Sequence, residues 1–498
     1  MNPSELEAEG DRLLEFARGS VHPEGGFAWL DDAGRPELDR PVELWITCRM
    51  THVFALAHLM GRPWAAELVD HGVAALTGRF RDAVHGGWYA AIGPDGPVTT
   101  DKTAYEHAFV VLAASSAVVA QRPGAQALLA QALDVFDRRF WDDDAGMAVE
   151  QWDETFAVLD PYRGVNANMH TVEALLAAAD VTGVPVLRER ALRITTRVVH
   201  DLARGNDWRI PEHFDPSWTP LLDYNRDEPA HPFRPYGATI GHWLEWSRLA
   251  LDLRAALGDD APAWLLDDAR ALFGAAVREG WAVDGAAGFV YTVGWDGRPV
   301  VRQRMHWVLA EAVAAAATLA QVTGDPAYAI CAEQWWAHAA THLIDTVGGS
   351  WHHELDPQNR PDARTWAGKP DVYHAFQATL FPRLPGDSVH ITSDEVLTWN
   401  QVYELIAAAA GVADPRLVPV TSERIAAAEP ALSAPIIGDK AHSMVLDNSK
   451  VKGLVPGWRA TVPFAVGARQ IVDWYDADPA RQVLDPDHDR LSDLLTQG

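Results

Sequence analysis

A chain of 498 residues that is 48% hydrophobic and 22% charged has the composition of a well-folded protein, with length for one large barrel plus an appendage or for two to three domains. Its 69 acidic against 41 basic residues leave a formal charge of −28, which repels nucleic acid and anionic membrane surfaces and argues against either as a partner; a cleft can still hold local arginines for a small anion. The two cysteines, Cys48 and Cys331, build neither a disulfide framework nor a zinc knuckle, which points to a reducing compartment.

The segment from Met1 to Arg18 is acidic and amphipathic, without the basic start and apolar run of a signal peptide. No apolar stretch reaches the about 20 residues that cross a bilayer. A cytoplasmic protein without a membrane partner is expected, with room left for a homo-oligomer.

From Leu6 to Pro385 the chain reads as helix after helix, with alanine- and leucine-rich runs such as Ala108 to Ala120 and Val308 to Leu319, joined by loops rich in Gly, Asp and Trp. An ionisable residue enters an apolar helix at Arg49, His107, His170, His242, His306 and His374, roughly 65 residues apart, which is the length of two helices and two connections. One helix hairpin cannot bury both of its apolar faces, whereas six in a circle bury the inner helices completely. The expected fold is all-α, a six-hairpin ring with one helix end per hairpin gathered at its mouth.

Taken in chain order, Trp45 to Met50 places Arg49 between apolar helix turns, where a guanidinium needs an anion or carboxylate. In Asp101 to His107, Lys102 reads as a solvated loop residue. Tyr162 to His170 puts Asn166, Asn168 and His170 where a loop enters a helix, with Glu173 one turn from His170. In Gly241 to Trp246, Glu245 shares a helix face with His242 and can hold its ring N–H, as a proton shuttle requires. In Trp366 to Gln377, Pro370 and Asp371 open a helix whose first turn presents His374. The order His-x-x-Glu at His170 and His242 is the reverse of the bundle di-iron motif, and no His-Glu-x-x-His is present, so neither a metal nor another cofactor is expected.

These motifs, with Glu212-His213-Phe214, His306-Trp307, Glu311 and Tyr373-His374-Ala375, make residues 1–385 resemble the N-acylglucosamine 2-epimerase superfamily, in the branch of mannose and sulfoquinovose isomerases. The resemblance implies an (α/α)6 barrel and cofactor-free interconversion of aldose and ketose. It places Arg49 near the carbonyl, His170 at ring opening, His242 and His374 at proton transfer, and Glu245 as the partner of His242. Tyr105, His107, Asn166, Asn168, Glu173, His306, Trp307, Glu311 and Trp366 are expected to bind the sugar.

After Pro385 the texture changes, and residues 386–498 are expected to form a small α/β appendage. Val389 to Ile391 reads as a short strand leading to a helix capped by Thr392 and Glu395. A basic, proline-marked stretch from Lys440 to Trp458 precedes a helix ending near Trp474. Through His390 to Gln401, Gly438 to His442 and Asp447 to Lys450, this tail resembles the C-terminal part of extended short-chain dehydrogenases of the NAD-dependent epimerase type. Neither a Gly-x-Gly-x-x-Gly turn nor a Tyr-x-x-x-Lys pair is recognisable, so NAD binding is not implied.

The reaction expected is mannose to fructose through ring opening and a cis-enediol, with His170 protonating the ring oxygen and Arg49 holding the enediolate charge. Sulfoquinovose isomerisation, with Arg163, Arg234, Arg302 or Arg304 on the sulfonate, and 2-epimerisation remain alternatives within the superfamily. Outside it stand a glycoside hydrolase using Glu212, Asp215 or Glu245, and a non-catalytic sugar-binding protein.

Overall fold

In a computed structural model, which describes residues 1–384, 392–429, 448, 451–452, 458–482 and 486–496, the chain divides into two compact units, Met1–Gly386 and Asp387–Gly498. The first holds twelve helices among the described residues, in six inner–outer pairs. The inner helices are α2 (Leu44–Leu59), α4 (Ala104–Val119), α6 (Val165–Thr182), α8 (Ile240–Leu257), α10 (His306–Thr323) and α12 (Tyr373–Leu380). The outer ones are α3 (Ala65–Thr77), α5 (Ala125–Arg139), α7 (Pro185–Thr195), α9 (Trp264–Gly280), α11 (Pro326–His338) and α1 (Pro3–Ala17).

Burial follows this division. Along α2, α4 and α10 most residues are buried, on all sides of the helix, whereas α3, α5 and α9 bury one stripe and leave charged residues outside. Each inner helix packs on the next, and α12 returns to α2, so the circle is closed. The chain's first helix supplies the outer partner of its last: α1 packs on α12, and the Trp351 indole N–H donates to Glu9 Oε1 at 2.8 Å. The Lys369 amide donates to Leu30 O at 2.8 Å, tying the final loop to the first.

Short antiparallel strands organise the mouth. The residues just before five inner helices, Val42–Glu43, Lys102–Thr103, Arg163–Gly164, Ala238–Thr239 and Arg304–Met305, pair with strands from the loop of the following hairpin, at Ala91–Gly93, Gln151–Trp152, His213–Phe214, Thr292–Val293 and Glu354–Leu355. Each of these five helix N-termini is thereby fixed to its neighbour's loop, and side chains distant in sequence are brought together there.

The described residues of the second unit form α13 (Trp399–Ala409), α14 (Ser422–Ala428), α15 (Phe464–Asp476) and α16 (Pro486–Thr496), with α13 packed on α15. The strand expected at 389–391 and most of Lys440 to Trp458 lie outside the described residues. The helix expected to start from Thr392 begins instead at Trp399. Its capping box is Thr398 with Gln401, while Thr392 is engaged with the Asn448 side chain through its backbone.

Candidate active site

Every inner helix sends at least one side chain into a single cavity. Arg49 comes from α2, Tyr105 from α4, Asn166 and His170 from α6, His242 and Glu245 from α8, His306 and Trp307 from α10, and His374 from α12. Trp45, Phe233 and Trp366 form an aromatic rim, with Phe233 edge-on to Trp366 at 5.2 Å and to Trp45 at 6.3 Å. Such rings offer apolar faces to the C–H side of a sugar.

Helix geometry decides which expected residues reach this cavity. Residues two apart lie on opposite sides of a helix, residues four apart on the same side. Tyr105 therefore faces the cavity and His107 does not: the His107 Nδ1–H donates to Thr103 O at 2.7 Å and Nε2 accepts from the Trp88 amide at 3.2 Å. Likewise Asn166 and His170 face inward, while Asn168 points away and bonds Ala148 N, Ala148 O and Gly164 O. Both His107 and Asn168 hold loops rather than ligand. Lys102, expected in solvent, is fully buried in an ion pair with Asp82 at 2.8 Å, the cross-loop strand having drawn it inward.

The three proposed catalytic histidines share one arrangement. The Nδ1 of His170 lies 3.2 Å from Glu173 Oε2, that of His242 3.0 Å from Glu212 Oε2, and that of His374 2.9 Å from Glu311 Oε1. A carboxylate accepts only, so each Nδ1 carries a proton toward its carboxylate and each ring turns Nε2 the other way. The partner of His242 is thus Glu212, from the entry to the His213–Phe214 strand, and not Glu245. Glu173 and Glu311 likewise lie behind the cavity wall as histidine partners rather than as sugar ligands.

His242 and His374 flank the same indole, with ring centroids 5.4 and 5.7 Å from that of Trp307. Trp307 can sit there because position 241 is glycine: a Cβ at Gly241 would come within 2.2 Å of the indole.

Beneath them runs a buried charge network. Arg248 Nε bonds Glu311 Oε2 at 3.0 Å, its Nη1 bonds Asp252 at 3.0 Å, and its Nη2 lies 3.7 Å from Glu245. Burial, with the nearby Glu311 and Glu173 charges, pushes the Glu245 carboxyl at the cavity floor well above its usual range, against the pull of Arg248. Burial would also raise Glu173, but hydrogen bonds from His170 and from the Tyr373 hydroxyl, with the Arg248 charge, outweigh it and keep Glu173 ionised. Burial lowers His170 to about 4 against the pull of Glu173, and lowers His374 against that of Glu311. Both rings are neutral at pH 7.

Arg49 Nη1 meets Asp371 Oδ2 at 3.3 Å and its Nη2 donates to the Tyr105 hydroxyl at 3.1 Å. Burial would loosen its proton, but Tyr105 and Asp371 outweigh that and the guanidinium stays charged. Of the other arginines considered for an anion, Arg302 is exposed and does not line the cavity, and three are engaged elsewhere. Arg163 donates to Asp160 O and Tyr162 O, Arg304 pairs with Asp284, and Arg234 stacks on Tyr162. Of the carboxylates considered for hydrolysis, Asp215 is spent on Ser217 and Thr219.

His170, Glu173 and Glu245 offer three ligand atoms within 4.8 Å of one another, a set that can in principle hold a metal ion. Their surroundings fit one poorly, since Arg248 lies beside Glu245, Arg49 adds a second buried cation, and Glu173 already accepts from His170 and Tyr373. A second such set, Asp82, His85 and Glu154, lies outside the cavity and is already engaged by Lys102. No helix among the described residues is long and apolar enough to cross a membrane.

Residues that sequence reasoning did not single out also line the cavity, namely Tyr291, Phe233 and His353, as does Asp371, which was read only as a helix opener. Each lies in a loop, where no helical period marks it.

Comparison with known proteins agrees with this architecture. Residues 25–378 match the N-acylglucosamine 2-epimerase (GlcNAc 2-epimerase) family. The chain is 57% identical over 382 residues to the D-mannose isomerase of Thermobifida fusca, covering 76% of this chain and 94% of that protein. It is 52% identical over 383 residues to the D-mannose isomerase of Pseudomonas cannabina pv. alisalensis, covering 76% and 92%. A crystal structure of a D-mannose isomerase superposes with a TM-score of 0.72 at 29% identity, over 76% of this chain and 97% of that one. The cellobiose 2-epimerase of Spirochaeta thermophila DSM 6192 shares the fold, with a TM-score of 0.68 at 24% identity over 76% and 95%. The chain belongs to the N-acylglucosamine 2-epimerase family, whose (α/α)6 barrel its first unit forms.

Proposed function

We propose that the first unit is an aldose–ketose isomerase that converts D-mannose to D-fructose and back. The observation that carries the reading is the pair His242 and His374, each with Nδ1 held by its own carboxylate, on either side of Trp307 in the cavity that Arg49 also lines. Two neighbouring bases beside a fixed cation are what an enediolate intermediate needs. The similarity to D-mannose isomerases supports mannose as the substrate. So does the cavity wall, where Arg49 is the lining arginine among the described residues and is already paired with Asp371, which disfavours a sulfonate.

The sugar must open first. His170, neutral and backed by ionised Glu173, takes the proton of the anomeric hydroxyl on Nε2 and delivers it to the ring oxygen as the C1–O5 bond breaks. This differs from direct protonation of O5 by an acidic histidine, because a ring that titrates near 4 carries no spare proton at pH 7. His374 then removes the C2 proton while Arg49 holds the charge developing on oxygen. His242 moves the hydroxyl proton from O2 to O1, and His374 returns its proton to C1, leaving a ketone at C2.

The second unit takes no part in this reaction in our reading. The free cysteines Cys48 and Cys331 agree with a cytoplasmic enzyme.

The reading is tested by incubating EDTA-treated protein with D-mannose and identifying the product. Fructose is expected. Glucose would establish 2-epimerisation instead, and release of a monosaccharide from a mannoside would establish hydrolysis.

A further inference from the structure

His306 and His353 form a second histidine pair in the cavity that the proposed reaction does not use. Their rings stack at 3.8 Å, inclined by 24°. The pairing of Arg304–Met305 with Glu354–Leu355 sets this register, and the His353 carbonyl accepts both the His306 amide at 3.0 Å and His306 Nδ1 at 3.2 Å.

Tautomers follow from these bonds. A carbonyl only accepts, so His306 Nδ1 carries the proton and its Nε2 is a bare acceptor. That Nε2 is buried and has no hydrogen-bond partner, in a side chain only 5% exposed. His353 is fixed in turn, because its Nε2–H donates to Asp371 O at 3.2 Å. Protonating His306 would set one imidazolium on the face of a second imidazole and at the positive N-terminus of α10. Burial, His374 and Arg49 act the same way and Asp371 opposes them, so the ring is neutral. A buried acceptor without a partner is costly and is satisfied when a donor arrives.

We propose that His306, held by His353, is a specificity-determining residue whose Nε2 accepts a hydrogen bond from one non-reacting hydroxyl of the sugar, at C3, C4 or C6. A neutral acceptor with no spare proton selects a hydroxyl donor and repels an anionic substituent at that carbon. The pair thereby separates a plain hexose from one carrying a sulfonate or phosphate there. This deepens the proposed function and rests on mannose being the substrate.

The test compares wild-type enzyme with His306→Phe, which keeps the stacked ring and removes the acceptor, and His306→Gln, which keeps an acceptor and removes the ring. Each is assayed on D-mannose and on its 3-deoxy, 4-deoxy and 6-deoxy analogues. His306→Phe is expected to lower kcat/KM for mannose about tenfold or more, yet to match wild type within about twofold on one of the three analogues. His306→Gln is expected to retain part of the wild-type preference for mannose over that same analogue. An equal loss on mannose and on all three analogues, with active wild type, overturns this inference and leaves the proposed function standing. Wild-type enzyme that leaves mannose unchanged contradicts both.

Discussion

Glu212 Oε2 stands 3.0 Å from His242 Nδ1, reaching it from the loop before the His213–Phe214 strand, while Glu245, one turn along the same helix as His242, turns to Arg248 instead. The carboxylate that orients a base need not share its helix. Glu212 also accepts from the Thr239 amide at 3.3 Å, so it ties the start of α8 to the base that α8 carries.

Replacing Glu212 by glutamine keeps the shape and removes the charge behind His242. The expected result is a fall in kcat of about tenfold to a hundredfold with little change in KM, since the group acts through the histidine and not on the sugar. Steady-state kinetics on mannose decide it. A change confined to KM would assign Glu212 to substrate binding.

His374 is lowered by burial and lifted again by its bond to Glu311. A base must be deprotonated to act, so the acidic limb of kcat/KM should lie below the ordinary histidine value of about 6.5. In Glu311→Gln the lifting charge is gone, and the limb should move further toward acid while kcat falls. A pH–rate profile of both proteins checks it; a limb moving toward neutral pH would contradict the assignment.

Outside the cavity, His107 is buried neutral with its ring titrating near 3. The unfolded chain takes up this proton near pH 6.5 and the folded one does not, so the stability His107 contributes is complete above that pH and is lost as pH falls from 6.5 toward 3. The stability advantage of wild type over His107→Gln should shrink by about 1 kcal/mol per pH unit between 6 and 4. Denaturant titrations at three pH values measure it, and an advantage that grows toward acid would contradict it.

The helices of the ring, including α1 against α12, are complete before residue 385. Chain ending at Gly386 should therefore stay folded and retain mannose turnover within about twofold of full length, by the independence of a closed core. Loss of turnover in a soluble, folded truncation would give the second unit a role in the reaction.

The architecture was legible in the sequence because an ionisable residue entering an alanine-rich helix is conspicuous, and Arg49, His170, His242, His306 and His374 all fall in the early turns of inner helices that meet at one mouth. The same spacing included His107, which only the rotation of α4 excludes from the cavity in favour of Tyr105. What could not be read was the pairing between loops of successive hairpins. That pairing brings His353 to His306, while Glu212 reaches His242 and Asp82 reaches Lys102 within the long connections that lead into α8 and α4; contacts 20 to 47 residues apart in irregular loops leave no periodic trace.

The central claim is that a histidine base, and not a hydride shift, moves hydrogen from C2 to C1. Running EDTA-treated enzyme to equilibrium on D-mannose in D2O and reading the product by NMR tests it most directly. Fructose carrying solvent deuterium at C1 is the predicted result, with His374→Ala folded and inactive. Fructose formed without solvent deuterium at C1, or full turnover by His374→Ala, would contradict the account.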